Sequence, residues 1–207
     1  MSGRYAVAGT DTGVGKTIFA AALAGHLGAA YWKPVQAGLE DETDSEAVLR
    51  LTAGRARVLP EAFRLTTPCS PHEAARIDGA AITAEALALP PVSGPLVAEG
   101  AGGVFSPLAM DLLPADLFAR WGLPVIVVAR TALGTINHSL LTLEALRTRG
   151  VEVAGVAFSG EAVPASEAAI CTLGQCRHLG RLPVVSPLDA ATLAAAFAAH
   201  VRTDLLA

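Results

Sequence analysis

Of the fifteen basic residues in this chain only Lys16 and Lys33 are lysines; the other thirteen are arginines. Codon bias explains a scarcity of lysine, but not the position of one of the two in a phosphate-loop motif. Lysine is a compact point charge whose pKa moves with its surroundings, so both positions are candidates for chemistry. Lys16 lies in Gly15-Lys16-Thr17, which is how a nucleotide-triphosphate loop ends. The usual pattern G-x-x-x-x-G-K-[ST] would place its first glycine at position 10, but the residue there is Thr10 and the nearest glycine is Gly9. A glycine-studded loop between a strand and a helix turns backbone N–H groups inward, and the helix N-terminus adds partial positive charge. Together these bind phosphate oxygens, and a loop one residue longer still wraps them. Here Thr12, Gly13, Val14, Gly15 and Ile18 would surround the nucleotide. Lys16 would reach its β- and γ-phosphates and Thr17 would offer a hydroxyl to Mg2+. The plain alternative is an ordinary glycine turn before an apolar helix.

Two carboxylates stand where they would complete such a site. Glu99 ends the apolar run of "LVAEGAGG", and Asp44 opens a helical stretch in "ETDSEA". Taken alone, Glu99 also reads as a solvent-facing strand end, and Asp44 reads more simply as a helix cap. With Thr17 they form three oxygen donors, a set that suits Mg2+ completed by phosphates and water. Lys33, in "YWKPVQAG", directly follows a strand and is held by Pro34. A snorkelling surface lysine is the bland reading; in a chain so poor in lysine, a functional one is favoured. Asn137 and His138 open a later helix in "LGTINHSLLT", where capping or turn formation is the simple reading.

Short apolar runs alternate with helical ones. Strands are expected at Arg4–Gly9, Ala30–Val35, Leu96–Glu99, Leu123–Ala129, Val151–Phe158 and Leu182–Val185. Helices are expected at 15–27, 44–52, from Pro71, through "LPADLFARWG", through "TINHSLLTLEALRTRG" and at 190–201. Residues 61–89 read as less regular. Strands apolar throughout and separated by helices indicate an α/β fold, a mostly parallel sheet flanked by helices on both faces. Such sheets bind ligands at the carboxyl ends of their strands, where all the candidate motifs fall.

A length of 207 residues favours one domain over 1–207. The longest uncharged run, Thr17 to Trp32, falls short of a membrane span of roughly 18–20 residues. With no signal-peptide pattern at the start, a soluble cytoplasmic protein without membrane contact is the default. A net charge of −4 offers no basic stripe for nucleic acid. Cys69, Cys171 and Cys176 form no C-x-x-C unit and read as small buried hydrophobes.

Taken together, "GTDTGVGKT", "KPVQAG", "TDSEA", "CSPHEAA", "VAEGAGGVFSPL" and "LGTINHSLLT" resemble the dethiobiotin synthetases over most of the chain and in the right order. That family shares the G-x5-G-K-T spacing. The resemblance implies a P-loop NTPase fold and an ATP- and Mg2+-dependent ring closure of 7,8-diaminononanoate with CO2, through a carbamate and a carbamic–phosphoric anhydride. It implies Lys16 and Lys33 as catalytic residues, with Thr17, Asp44 and Glu99 as metal ligands. Nucleotide contacts would extend to Gly100, Ala101, Gly102, Ser159, Gly160, Pro183, Val184 and Val185, the glycines letting backbone approach closely. Substrate contacts would come from Ala37, Ser70, Leu133, Gly134, Thr135 and Asn137. A homodimer is implied, with 133–137 of one subunit meeting the substrate carboxylate in the other's site.

The sequence departs from the family pattern at Ala37, where relatives often carry a hydroxyl residue. It departs again at Ser159, where many carry an asparagine that reads the adenine edge. Two rivals share the fold. Cobyrinate-type synthetases usually add a glutaminase domain, for which 207 residues leave no room. Partition and cell-division ATPases carry a signature lysine in K-G-G-x-G-K, where this chain has Asp11.

Overall fold

The computed structural model describes residues 3–206. In chain order the elements are β1 (Arg4–Gly9), α1 (Lys16–Leu27), β2 (Ala30–Trp32), β3 (Val35–Ala37), α2 (Asp44–Thr52), β4 (Arg57–Leu59), β5 (Phe63–Leu65) and α3 (Pro71–Asp78). They continue with β6 (Leu96–Gly103), α4 (Pro114–Trp121), β7 (Val125–Arg130), α5 (Thr135–Arg147), β8 (Val153–Ser159), α6 (Pro164–Leu173), β9 (His178–Leu182) and α7 (Ala190–His200). Seven strands form one parallel sheet in the order β4-β2-β6-β1-β7-β8-β9.

Both faces of the sheet are covered, as strands without apolar alternation require. On one side Phe19 and Leu23 of α1, Val48 and Leu51 of α2 and Phe197 of α7 pack onto Val7, Tyr31 and Val97. On the other, Phe118 of α4, Leu143 and Leu146 of α5 and Ile170 of α6 pack onto Ala8, Ala98 and Val127. The central strand β1 therefore delivers its loop between β6 and β7, at the carboxyl edge.

Several details differ from the sequence expectation, among them β4 and β5, for which no strand was expected. The run Ala30–Val35 is not one strand. β2 stops at Trp32, and β3 pairs instead with β5 in a separate two-stranded sheet. Pro34 has no N–H to continue the ladder, so the chain leaves the main sheet at Lys33. β6 does not stop at Glu99 but runs to Gly103, which pairs with Gly9 beyond a bulge. Gly100 lies within that strand and must be glycine, because a Cβ there would lie 2.6 Å from the Phe118 ring; its missing side chain serves the core. The last strand is His178–Leu182 and 183–185 follow it. As an edge strand it needs no continuous apolar run. Helix α6, unforeseen, buries only Glu167 and Ile170 and so leaves almost no periodic signal beyond Pro164 in its first turn. Of the cysteines, Cys69 is exposed and the other two are half-buried, so the reading as buried hydrophobes fails for Cys69.

Candidate active site

Four chain segments converge at the carboxyl edge of β1, β2 and β6. Thr17 comes from the first turn of α1, Lys33 from the break after β2, and Glu99 from within β6. Asp44 comes from the first turn of α2. It is not the cap: Thr43 caps the helix in a reciprocal capping box with Glu46, which leaves the Asp44 carboxylate free for the cleft. Thr17 Oγ1 lies 2.9 Å from both Asp44 Oδ1 and Glu99 Oε1, and donates its one proton to either. The Lys33 ammonium donates to Asp44 Oδ2 at 2.5 Å, to Glu99 Oε1 at 3.0 Å and to the Gly100 carbonyl at 3.2 Å. Glu99 is fully buried and Lys33 is 4% exposed.

Charges this deep are tolerated only when paired and hydrogen-bonded. Burial pulls the Lys33 pKa down, but the carboxylates of Glu99 and Asp44 outweigh it and hold the group above its usual value. Burial pushes Asp44 up, and Lys33 with the Thr17 hydroxyl brings its carboxyl below the ordinary range. Lys16 behaves differently. Burial and then the neighbouring Lys33 charge lower its ammonium to about 8, against the pull of Glu99, Asp44 and Asp11.

The loop geometry accounts for the displaced glycine. Lys16 folds back so that Nζ donates to the Asp11 carbonyl at 2.8 Å. A Cβ on residue 9 would lie 2.6 Å from the Lys16 side chain, so a glycine is required at 9. Asp11 accepts from the Thr12 N–H at 2.8 Å and faces Arg130 at 3.7 Å.

Two adjoining chambers open from this centre, of about 360 Å3 and 520 Å3. The first is lined by Gly13, Gly15, Lys16, Thr17, Ile18 and Glu99. The second is lined by Val35, Gln36, Ala37, Cys69, Ser70 and Ala101. Thr12, Lys33, Asp44 and Gly102 line both, so Lys33 stands at the junction.

Not every expected residue lies here. The Val14 side chain is buried in the core on the α1 face. Ala101 faces the second chamber, and Gly100 contributes its carbonyl. Ser159 packs under the loop: a Cβ on Gly15 would lie 2.5 Å from Ser159 Oγ. Gly160, Pro183, Val184 and Val185 lie outside both chambers, with Val184 exposed. Leu133, Gly134 and Asn137 are exposed and line neither chamber, and the Thr135 hydroxyl is committed to the Arg130 carbonyl.

Two hydrogen-bond partners of the acidic residues were not anticipated. Tyr31 donates from its buried phenol to Glu99 Oε2 at 2.9 Å, and burial, then Glu99, raises its pKa well above the usual value. Gln36 accepts from the Asp44 N–H at 3.2 Å. Period-two spacing from Lys33 would have suggested Tyr31, which its place in an apolar strand disguised.

The family model for an AAA domain matches residues 3–192. Proteins named ATP-dependent dethiobiotin synthetase BioD align over nearly their whole length. That of Novosphingobium aromaticivorans is 59% identical, covering 97% of both chains. That of Nitrobacter hamburgensis is 59% identical over 99% of this chain and 97% of its own. That of Sphingopyxis alaskensis is 60% identical over 95% and 96%. This chain belongs to the dethiobiotin synthetase family. Among solved structures, the septum site-determining protein MinD of Pyrococcus horikoshii superposes with a TM-score of 0.54 at 15% identity, covering 88% of this chain and 82% of that one. A ParA family ATPase of Chlorobium tepidum does so at 0.54 and 8%, covering 98% and 91%. Those likenesses concern the fold, and they place the synthetase among P-loop ATPases in architecture. No helix among the described residues is long and apolar enough to cross a membrane.

Proposed function

We propose that this dethiobiotin synthetase closes the cyclic urea of dethiobiotin from 7,8-diaminononanoate, CO2 and ATP, with Lys33 acting where the two chambers meet. The observation that carries the reading is Lys33 lining both chambers, with its ammonium on the two carboxylates between them. One amine of the substrate adds CO2 and loses a proton, giving a carbamate. A carbamate oxygen then attacks the γ-phosphorus and ADP leaves. The second amine attacks the carbonyl carbon of the resulting anhydride, and phosphate departs as the ring closes. An anion attacking a polyanion needs positive charge fixed in place beforehand. Lys16 supplies it on the phosphate side, and Lys33 reaches carbamate and transferring phosphoryl together.

Thr17, Asp44 and Glu99 fit Mg2+. The donors are hard oxygens, the carboxylates already face a cation in Lys33, and only two are present, as suits an ion completed by phosphates. When bound, the metal would supply positive charge to the phosphates. The chain's own part is to hold three donors within hydrogen-bond reach of one another. ATP hydrolysis measured with diaminononanoate and bicarbonate present or withheld tests the proposal. Dependence on both is the expected result, and hydrolysis indifferent to either refutes it.

The protein acts, on this reading, as a cytoplasmic homodimer of one-domain subunits, with 133–137 of one subunit capping the partner's second chamber. The N-terminus of α5 suits the substrate's distant carboxylate. Leu133, just before α5, is wholly exposed, and the exposed Phe105 and Leu141 line one groove with His138 of α5, which supports a covered face. Specific activity is expected to fall on dilution as dimers dissociate; an active monomer would contradict this arrangement.

Nucleotide choice follows from Ser159. Beside the phosphate loop a hydroxyl cannot present the paired donor and acceptor of an amide. Comparable kcat/KM for ATP, CTP and GTP is the expected outcome, and strong preference for ATP over both refutes it.

A further inference from the structure

Glu99 is the one fully buried carboxylate of the site, and its two oxygens have different company. Oε1 meets Thr17 and Lys33, the groups that face the nucleotide. Oε2 has a single hydrogen-bond partner among the described residues, the Tyr31 hydroxyl at 2.9 Å. Tyr31 pairs in register with Val97, so Glu99, two residues on, lies diagonally across the same sheet face. The phenol is itself wholly buried and makes no other hydrogen bond among the described residues. In a dry core each of these two groups needs the other.

We propose that Tyr31 is a positioning residue for the metal-directed carboxylate. By holding Oε2 it keeps Oε1 aimed at the cation. The inference rests on the metal reading given above. Its physical content is clearest when the cation enters. With the metal held there, Thr17 would turn its oxygen to it, and Lys33, now bonded to both carboxylates, would be freed toward substrate. Of the three groups hydrogen-bonded to the carboxylate, Tyr31 is the one seated in the core and not in the cleft, so it would resist rotation of the group out of the site. Partners of this kind, one bond behind a ligand, govern metal affinity more than they govern nucleotide affinity.

The test is a titration of Mn2+ into enzyme and ADP, followed by electron paramagnetic resonance, for wild type and Tyr31→Phe. The ring of phenylalanine preserves packing, and melting temperature is recorded alongside. Expected is a roughly tenfold weaker Mn2+ affinity in Tyr31→Phe, with metal-free ADP affinity unchanged. The half-saturating metal concentration for turnover should rise in step, while kcat at saturating metal changes less. On a Glu99→Gln background, Tyr31→Phe should alter Mn2+ affinity by less than about twofold, since no carboxylate remains to be held. Equal Mn2+ affinity in wild type and Tyr31→Phe overturns the inference, including the case in which only the melting temperature falls. Failure of wild type with ADP to bind Mn2+ overturns the metal reading along with it.

Discussion

Lys16→Ala is expected to lower kcat by about 100- to 1,000-fold, equivalent to about 3–4 kcal/mol of lost transition-state stabilisation. The magnitude follows from preorganisation. Lys16 is buried, and its ammonium is held at 2.8 Å from the Asp11 carbonyl, within the glycine loop. Removing it leaves the backbone N–H groups, so binding should suffer less than turnover. Lys16→Arg is no rescue, because the guanidinium is wider and planar and the lysine already passes 2.6 Å from where a Cβ on residue 9 would lie. A second signature separates charge from shape. In the empty loop the Lys16 pKa is about 8, and phosphate oxygens favour the charged form. Metal-free ADP affinity of the wild type should therefore be complete below about pH 8 and decline as pH rises above it, with proton uptake on binding. Lys16→Ala should lack that dependence. Steady-state rates together with calorimetry in buffers of different ionisation enthalpy provide the check. Intact turnover in Lys16→Ala would remove the phosphate-loop assignment.

How far the candidate site is legible in the sequence depends on where its parts sit. Lys16, Thr17 and Glu99 are placed by strands that are apolar throughout, whose ends can be read from where the apolar run stops. Even there the reading of β6 stopped four residues early, because glycines look like loop when the reason for Gly100 is the Phe118 ring across the core. Asp44 was harder. Its apparent capping role belongs to Thr43, and the freedom of its side chain follows from a capping box that propensity alone does not assign to one residue or the other. Tyr31 and Gln36 stayed hidden because their roles are tertiary: the phenol meets Glu99 across 68 positions of sequence. Helix α6 and strand β9 lie where few side chains must be apolar, so the pattern that reveals central strands is weak there.

Lys33→Met should be as damaging to turnover as loss of Lys16 and should also weaken the empty fold, a combination Lys16→Ala should not produce. Lys33 bonds both carboxylates, and Glu99 has no exposure to water. Removing one partner of a buried ion pair costs about 3–5 kcal/mol, because the remaining charge is left uncompensated. Methionine fills a similar volume, so this loss is electrostatic and not a cavity effect. A cation that binds between Asp44 and Glu99 replaces the missing charge. Mg2+ with ADP should accordingly raise the melting temperature of Lys33→Met by more than it raises that of the wild type. The same addition should leave kcat depressed by about 100-fold or more, since stability is restored at the carboxylates but nothing then faces the carbamate. Thermal melts with and without Mg2+ and ADP, read beside single-turnover rates, separate the two consequences. Recovery of rate together with stability would mean that Lys33 only compensates the charge of the two carboxylates, and the proposed contact with the transferring phosphoryl would have to be abandoned.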